Sequence, residues 1–251
     1  MHMSDKPWAL VTGASSGLGT EFARQLARRG HSVVLVGRDK SRLEAVAHDC
    51  AKFGVDTEVL VADLHRPSAV ARVATRLTST SKPIRVLVNN AGYGIHGTLA
   101  TSDVVKERDH LAIHVTVPLE LTKAALPGML ERGEGRIVVV SSVAGYLARG
   151  TYSAHKAWGL SLARSLNASH RREGVHISAV APGFTRTEFH QRMRMSIDGF
   201  PPIMWLRAEK VVTDALNAVE AGRAIVVPSL RYRFLVGLSK LMPARTHQWG
   251  A

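Results

Sequence analysis

Tyr152 and Lys156 stand four residues apart in a stretch of helical character, so both side chains project from one face. A phenol ordinarily titrates near pH ~10, too high for a base at neutral pH. A neighbouring ammonium favours the phenolate and lowers that value. The pair is therefore an acid/base device, with Lys156 expected to bring the Tyr152 pKa down. Tyr-x-x-x-Lys alone is a weak signal, and what surrounds it decides how it is read.

A second cluster lies near the N-terminus. Thr12-Gly13-Ala14-Ser15-Ser16-Gly17-Leu18-Gly19 follows a short apolar run and opens a helical stretch. Glycines let a backbone turn tightly and approach a pyrophosphate, and the helix start adds N–H groups and the positive end of its dipole. Ser15 and Ser16 can add hydroxyl donors. The spacing is G-x-x-x-G-x-G rather than G-x-G-x-x-G, and the alternative is a plain glycine-rich turn. After the second apolar run comes Gly37-Arg38, with no acid until Asp39. An acid there would bind the adenosine ribose of NAD, whereas Arg38 can hold a 2′-phosphate by a charge-assisted fork. The pattern favours NADP(H); the alternative is a solvated Arg38 before a helix-capping Asp39.

These residues need elements to position them, and the chain supplies a regular alternation. Strand-like runs rich in Val, Ile and Leu cover Trp8–Thr12, Ser32–Val36, Val55–Ala62, Arg85–Val88, Arg136–Val140, Val175–Val180 and Ala224–Val227. Helical stretches cover Gly17–Arg29, Lys40–Phe53, Pro67–Thr78, Ser102–Arg132, Thr151–Glu173 and Ala208–Ala221. Runs apolar on both faces suit a parallel sheet covered on both sides. The expectation is an α/β, single-domain, doubly wound Rossmann-type fold with a seven-stranded parallel sheet. Right-handed crossovers put all strand C-termini on one edge. Small and polar residues gather there: the glycine turn, Asp63, Asn89–Gly92, Ser141-Ser142 and Pro182-Gly183.

The whole composition agrees. The 251 residues are 45% hydrophobic and 21% charged, which supports a buried core and excludes general disorder. The net charge of +13 admits anionic partners. The basic residues are scattered, with no helix-turn-helix, zinc or stacking motif, so nucleic acid is not expected as a partner. A single cysteine, Cys50, excludes an intramolecular disulfide and a cysteine zinc site, and no metal site is expected. No apolar run reaches the length of a membrane span, and residues 1–6 carry no apolar leader and look tag-like, so a cytoplasmic location is expected.

Thr12–Gly19 (TGASSGLG), Asn89–Gly92 (NNAG), Ser141-Ser142, Tyr152–Lys156 (YSAHK) and Pro182-Gly183 with Thr187 together resemble the short-chain dehydrogenase/reductase family, in the family's order and over residues 7–228. The resemblance implies a role for each position. Tyr152 exchanges a proton with the substrate oxygen. Lys156 lowers the Tyr152 pKa and binds the nicotinamide ribose. Ser142 holds the carbonyl oxygen, with Ser141 as the fallback. Gly13, Ser15, Ser16, Gly17, Leu18 and Gly19 cradle the dinucleotide and Arg38 its 2′-phosphate. Asp63 and Leu64 contact adenine. Asn90, Ala91 and Gly92 line the cofactor, and Pro182, Gly183, Thr185 and Thr187 approach the nicotinamide. The hydride chemistry itself is the cofactor's.

Two departures stand out. Ser142 and Tyr152 are only ten positions apart, so the loop between them should be tight. Aligning Ile113–Pro118 with the family's helix motif puts His114 where a catalytic Asn is usual. The Asn helps hold a break in the helix and a water that relays protons to the Lys. An imidazole both donates and accepts, so His114 is either part of that relay or a core histidine filling space. In the relay reading its pKa falls within the working pH range, and activity carries an acid limb set by His114.

Residues 184–206 are rich in Phe, Met, Ile and Trp, and are read as a substrate lid. Adaptable apolar surface points to a small lipophilic ketone, aldehyde or alcohol, although the same residues would serve to pack a helix. Residues 229–251 form a basic amphipathic tail. It is expected to pack on the protein or a neighbour, with membrane contact as the less favoured alternative. Trp158 and its helical neighbours Ala154, Leu162, Ser165 and Ser169 form a face that a second subunit would cover, so a homodimer or homotetramer is expected. Two functions result: an NADP(H)-dependent oxidoreductase or, because of His114, a catalytically weak dinucleotide-sensing protein on the same fold. The intact Tyr152, Lys156 and Ser142 favour the enzyme.

Overall fold

The computed structural model describes residues 6–95, 98–188 and 201–239. Seven parallel strands form one sheet: β1 Trp8–Thr12, β2 Ser32–Gly37, β3 Thr57–Val61, β4 Ile84–Asn89, β5 Gly135–Val140, β6 Val175–Val180 and β7 Ile225–Val226. Their spatial order is β3-β2-β1-β4-β5-β6-β7. The order reverses between β1 and β4, which places a crevice at their C-terminal ends. Alternate residues of β1 feed two cores: Trp8 and Leu10 on one side, Ala9 and Val11 on the other. The expected sheet is therefore present, with β3 and β7 shorter than the apolar runs that announce them.

Helices cover both faces: α1 Gly17–Arg28, α2 Lys40–Ala51, α3 Pro67–Leu77, α4 Val104–Leu111, α5 Val117–Glu131, α6 Gly150–His170, α7 Ala208–Glu220 and α8 Leu230–Ser239. The single helix expected over Ser102–Arg132 is broken. A π-helical turn, Ala112–Thr116, joins α4 to α5, and the Val117 N–H donates to the Ala112 carbonyl, five residues back. Pro118 explains the site of the break. Lacking an N–H, it cannot bond the His114 carbonyl as an α-helix requires, so an ordinary turn loses its advantage there.

The tail contains α8, which packs inward through Tyr232 and Val236. Its outer side exposes Leu230, Phe234, Leu235 and Leu238. No helix among the described residues is long and apolar enough to cross a membrane. Most of the lid segment, residues 189–200, and the tail beyond residue 239 lie outside the described residues.

Candidate active site

The glycine turn is built around Thr12. Its hydroxyl donates to the Val88 carbonyl and accepts the N–H groups of Asn90 and Ala91, both at 3.0 Å. The Asn90 amide donates back to the Thr12 carbonyl at 2.8 Å. The end of β4 thus braces the turn after β1. Gly13 has φ +66°, the left-handed region, and a Cβ on Gly19 would overlap the Gly13 carbonyl oxygen. Thr187 packs on Gly17, bringing the segment after β6 to the same turn. Thr185 is buried, its hydroxyl on the Gly183 carbonyl, and Leu18 packs against the core from the start of α1.

This end suits an anionic dinucleotide. Ser15 and Ser16 are partly exposed, Ser16 spends no side-chain bond on capping α1, and the first turn of α1 has no acid. A cleft of about 450 Å³ opens over Ser15, Ser16 and Gly17, its walls carrying Arg24, Arg42 and Arg186 together with Glu21, Glu188 and Glu209. Arg42 is held by Glu188 at 2.6 Å. Asp39 caps α2, its carboxylate accepting the Arg42 N–H at 3.0 Å, so Asp39 is spent as a cap. Arg38 is exposed at the end of β2. On the other side of β2, Leu64 is buried and Asp63 accepts the His65 N–H. A glycine cradle and an open helix start fit a nicotinamide dinucleotide.

The proton chemistry sits across the switch point. Two consecutive serines end β5 and do different things. Ser141 is buried and its hydroxyl donates to the Lys156 carbonyl at 2.7 Å, pinning α6 to the sheet. Ser142 starts a short 3₁₀ turn, accepts the Ala144 N–H at 3.1 Å and hydrogen-bonds Tyr152. The geometry thus assigns Ser142 rather than Ser141 to the Tyr152 side. Pro182 lies beside it, its carbonyl 3.5 Å from the Ser142 hydroxyl.

Lys156 is 8% exposed, and its Nζ donates to the Val140 carbonyl at 2.8 Å. Burial pulls its pKa down to about 7. Burial pushes the Tyr152 phenol up to about 12, with the Ser142 hydrogen bond opposing. The expected lowering of Tyr152 by Lys156 is therefore not what the structure shows. The Lys156 Nζ is 5.5 Å from the Tyr152 ring centre, and desolvation of the buried phenol outweighs the help it receives.

His114 faces the same place, its ring 5.6 Å from that of Tyr152. Its Nε2 lies 2.6 Å from the Tyr93 carbonyl and 3.3 Å from the Tyr93 N–H, and the shorter contact makes it a donor to the carbonyl. Burial, reinforced by Lys156 and His110, holds its pKa well below the ordinary histidine value. This direction favours the neutral His114 ring and argues against the expected His114 acid limb.

His114 has company that the residue pattern did not announce. His110, one α-helical turn earlier and fully buried, also donates its Nε2 to the Tyr93 carbonyl, at 3.1 Å. Its ring stacks on Tyr152 at 5.9 Å. His155, the residue before Lys156, places its Nδ1 3.1 Å from the His110 Nδ1. The i, i+4 pair His110 and His114 was a usable signal; the Tyr93 carbonyl that organises them was not.

Between the sheet and α6 lies a cavity of about 10 Å³, lined in part by Asn89, His114, His155 and Lys156. That is room for one water. Asn89 gives its amide N–H to Thr122 at 3.1 Å and leaves its buried Oδ1 unpartnered among the described residues. In the described part of the segment expected to be a lid, Phe184 meets Trp205 at 5.6 Å between ring centres. Tyr232 of α8 packs so closely on Gly183 that a Cβ there would overlap its ring. Its hydroxyl accepts the Phe184 N–H and donates to the Met204 carbonyl. Within the tail, α8 therefore packs on the protein, against the segment that follows β6.

A family model for short chain dehydrogenases matches residues 7–197, and the chain belongs to that family of oxidoreductases. It is 34% identical to the very-long-chain 3-oxoacyl-CoA reductase of Anas platyrhynchos over 210 residues, 80% of this chain and 67% of that protein. It is similar to the short-chain dehydrogenase from Sphingobium yanoikuyae in complex with NADPH, with 33% identity, 98% of each chain covered and a TM-score of 0.84. The bulky-bulky ketone specific alcohol dehydrogenase from Comamonas testosteroni is 30% identical, with 98% and 96% of the two chains covered and a TM-score of 0.80.

Proposed function

We propose that this chain is an NADP(H)-dependent oxidoreductase that interconverts a lipophilic ketone or aldehyde and its alcohol. The observation that carries the reading is the convergence of Tyr152, Ser142 and Lys156 at the β4–β5 edge, beside the glycine turn. When bound, the nicotinamide supplies or accepts the hydride. Ser142 orients the substrate oxygen, Tyr152 exchanges the proton with it, and Lys156 faces the same ring. The turn Gly13–Gly19 holds the pyrophosphate, Asp63 and Leu64 border the adenine, and Asn90–Gly92 with Pro182–Thr187 flank the rest.

Arg38 sets the preference for a 2′-phosphate. Its exposed position at the end of β2, with Asp39 committed to capping α2, supports that assignment. The apolar residues Phe184, Ile203, Met204 and Trp205 support a lipophilic substrate, in keeping with a related enzyme described as specific for bulky-bulky ketones.

The test is cofactor oxidation with a panel of diaryl and alkyl-aryl ketones, using NADPH and NADH in parallel. NADPH should be preferred, and Arg38→Asp should reverse that preference by about 10- to 100-fold, the worth of a charge-assisted contact. Binding of NADH as tight as that of NADPH by the unmutated protein overturns the cofactor assignment. Reduction of only small polar carbonyls overturns the substrate class.

A further inference from the structure

The three histidines determine one another's proton positions. A carbonyl oxygen only accepts, so the His110 Nε2, 3.1 Å from the Tyr93 carbonyl, must carry hydrogen. His110 is neutral, because burial and the neighbouring His155 pull its pKa down to about 4. Its Nδ1 is therefore a bare acceptor. The 3.1 Å contact to the His155 Nδ1 then requires His155 to donate from that atom. A neutral His155 is left with a lone pair on Nε2.

His155 lines the one-water cavity together with the Lys156 side chain. Unlike His110 and His114, it is only partly buried. Desolvation holds its pKa below the ordinary histidine value and Lys156 adds to this, while Glu107 of α4 opposes it. Its other titratable neighbours are His110 from α4, His114 from the π-helical turn and Tyr152 on its own helix. His114 cannot serve in its place, since its Nε2 is committed to Tyr93 and its ring resists protonation.

We propose that His155 is the relay residue through which protons enter and leave this active site, passing them between solvent and Lys156 across the cavity. The inference rests on the reductase reading given above. In the reducing direction, the carbonyl carbon gains a hydride and the carbonyl oxygen gains the Tyr152 proton, leaving a phenolate. The phenolate recovers its proton from the Lys156 side. Lys156 is reprotonated by the His155 imidazolium, which takes its proton from solvent. Each cycle consumes one hydride and one proton and returns every side chain to its starting state.

The relay acts after the first hydride transfer, and that separates it from a merely structural role. NADPH and a reducible diaryl ketone are used with the unmutated protein, His155→Ala and His155→Gln. In a single turnover, both variants should transfer hydride within about twofold of the unmutated rate. Under steady-state conditions both should be at least about tenfold slower, because an amide or a methyl group cannot take up a proton. Free imidazole should restore His155→Ala, with a pH dependence that follows the added imidazole. Unchanged steady-state rates overturn the proposal. Equal losses in both regimes, or a loss that imidazole does not repair, also overturn it by showing a packing role. If His155→Ala does not fold, His155→Gln carries the two-regime comparison alone. Failure of the unmutated protein to oxidise NADPH with any ketone counts against the reductase reading itself, and is a separate outcome.

Discussion

The phosphate end and the proton end of this site are built in opposite ways. Around Gly13–Gly19 the work is done by backbone: a left-handed glycine, close approaches and N–H groups, locked by Thr12 and Asn90. Around Tyr152 it is done by ionisable side chains: His110, His114 and Lys156 are buried and the partly buried His155 lies within their range. A backbone site has little to titrate and little to vary. A side-chain site gains a tunable charge state, and burial dominates it. Lys156 and Tyr152 are driven towards their neutral forms, against the mutual activation that their spacing suggested.

The largest effect should come from the proton end. Tyr152→Phe removes one oxygen and should lower turnover by at least about 100-fold, the scale of general acid catalysis, while NADPH affinity stays within about twofold. Turnover and binding assays on one preparation read both; appreciable turnover would break the assignment. Gly19→Ala attacks the other end and should do the reverse. Its methyl group collides with the Gly13 carbonyl, so cofactor binding should be lost and stability should fall by about 1–3 kcal/mol of overpacking, seen as a lower melting temperature. Tight NADPH binding by this variant would show that the turn is not the cradle.

A smaller effect concerns the buried amine. The Lys156 pKa falls from 10.5 to about 7 on folding, so between those values the unfolded chain binds a proton that the folded chain lacks. Stability of the cofactor-free protein should therefore rise with pH across that window, and the gain is absent below pH ~7. Lys156→Met should flatten the rise in denaturant titrations at pH ~7 and ~9. The smallest effect is expected of His114→Asn. Since the imidazole stays neutral, the acid limb of the activity profile should keep its shape. A flattened limb would restore His114 as a titrating relay.

The two ends also differed in how far they could be read from residues alone. The turn was legible because glycine spacing and a preceding apolar strand speak directly about backbone. The seven strands were legible for a similar reason: runs apolar on both faces have few other homes. The break at Ala112–Thr116 was written in Pro118, yet a helical reading of Ser102–Arg132 passed over it. The histidine cluster was not legible as a unit. Its members come from α4, the π-helical turn and α6, and the atom joining two of them is a main-chain oxygen, which carries no residue identity. Tyr232 was hidden likewise: its role depends on the docking of α8 against Gly183, a contact between distant parts of the chain.

The Thr12 brace carries a consequence for the order of events during folding. Thr12 sits at the end of the first strand, but Val88, Asn90 and Ala91, which hold it, are 76, 78 and 79 residues further on. In space β4 lies beside β1, while β2 and β3 extend the other way. A nascent chain can pair β1 with β2 and β3 early, yet the glycine turn has no support until β4 has been made and has closed a long loop. Dinucleotide binding should accordingly appear late and abruptly as the chain lengthens, only after the β4 edge has docked.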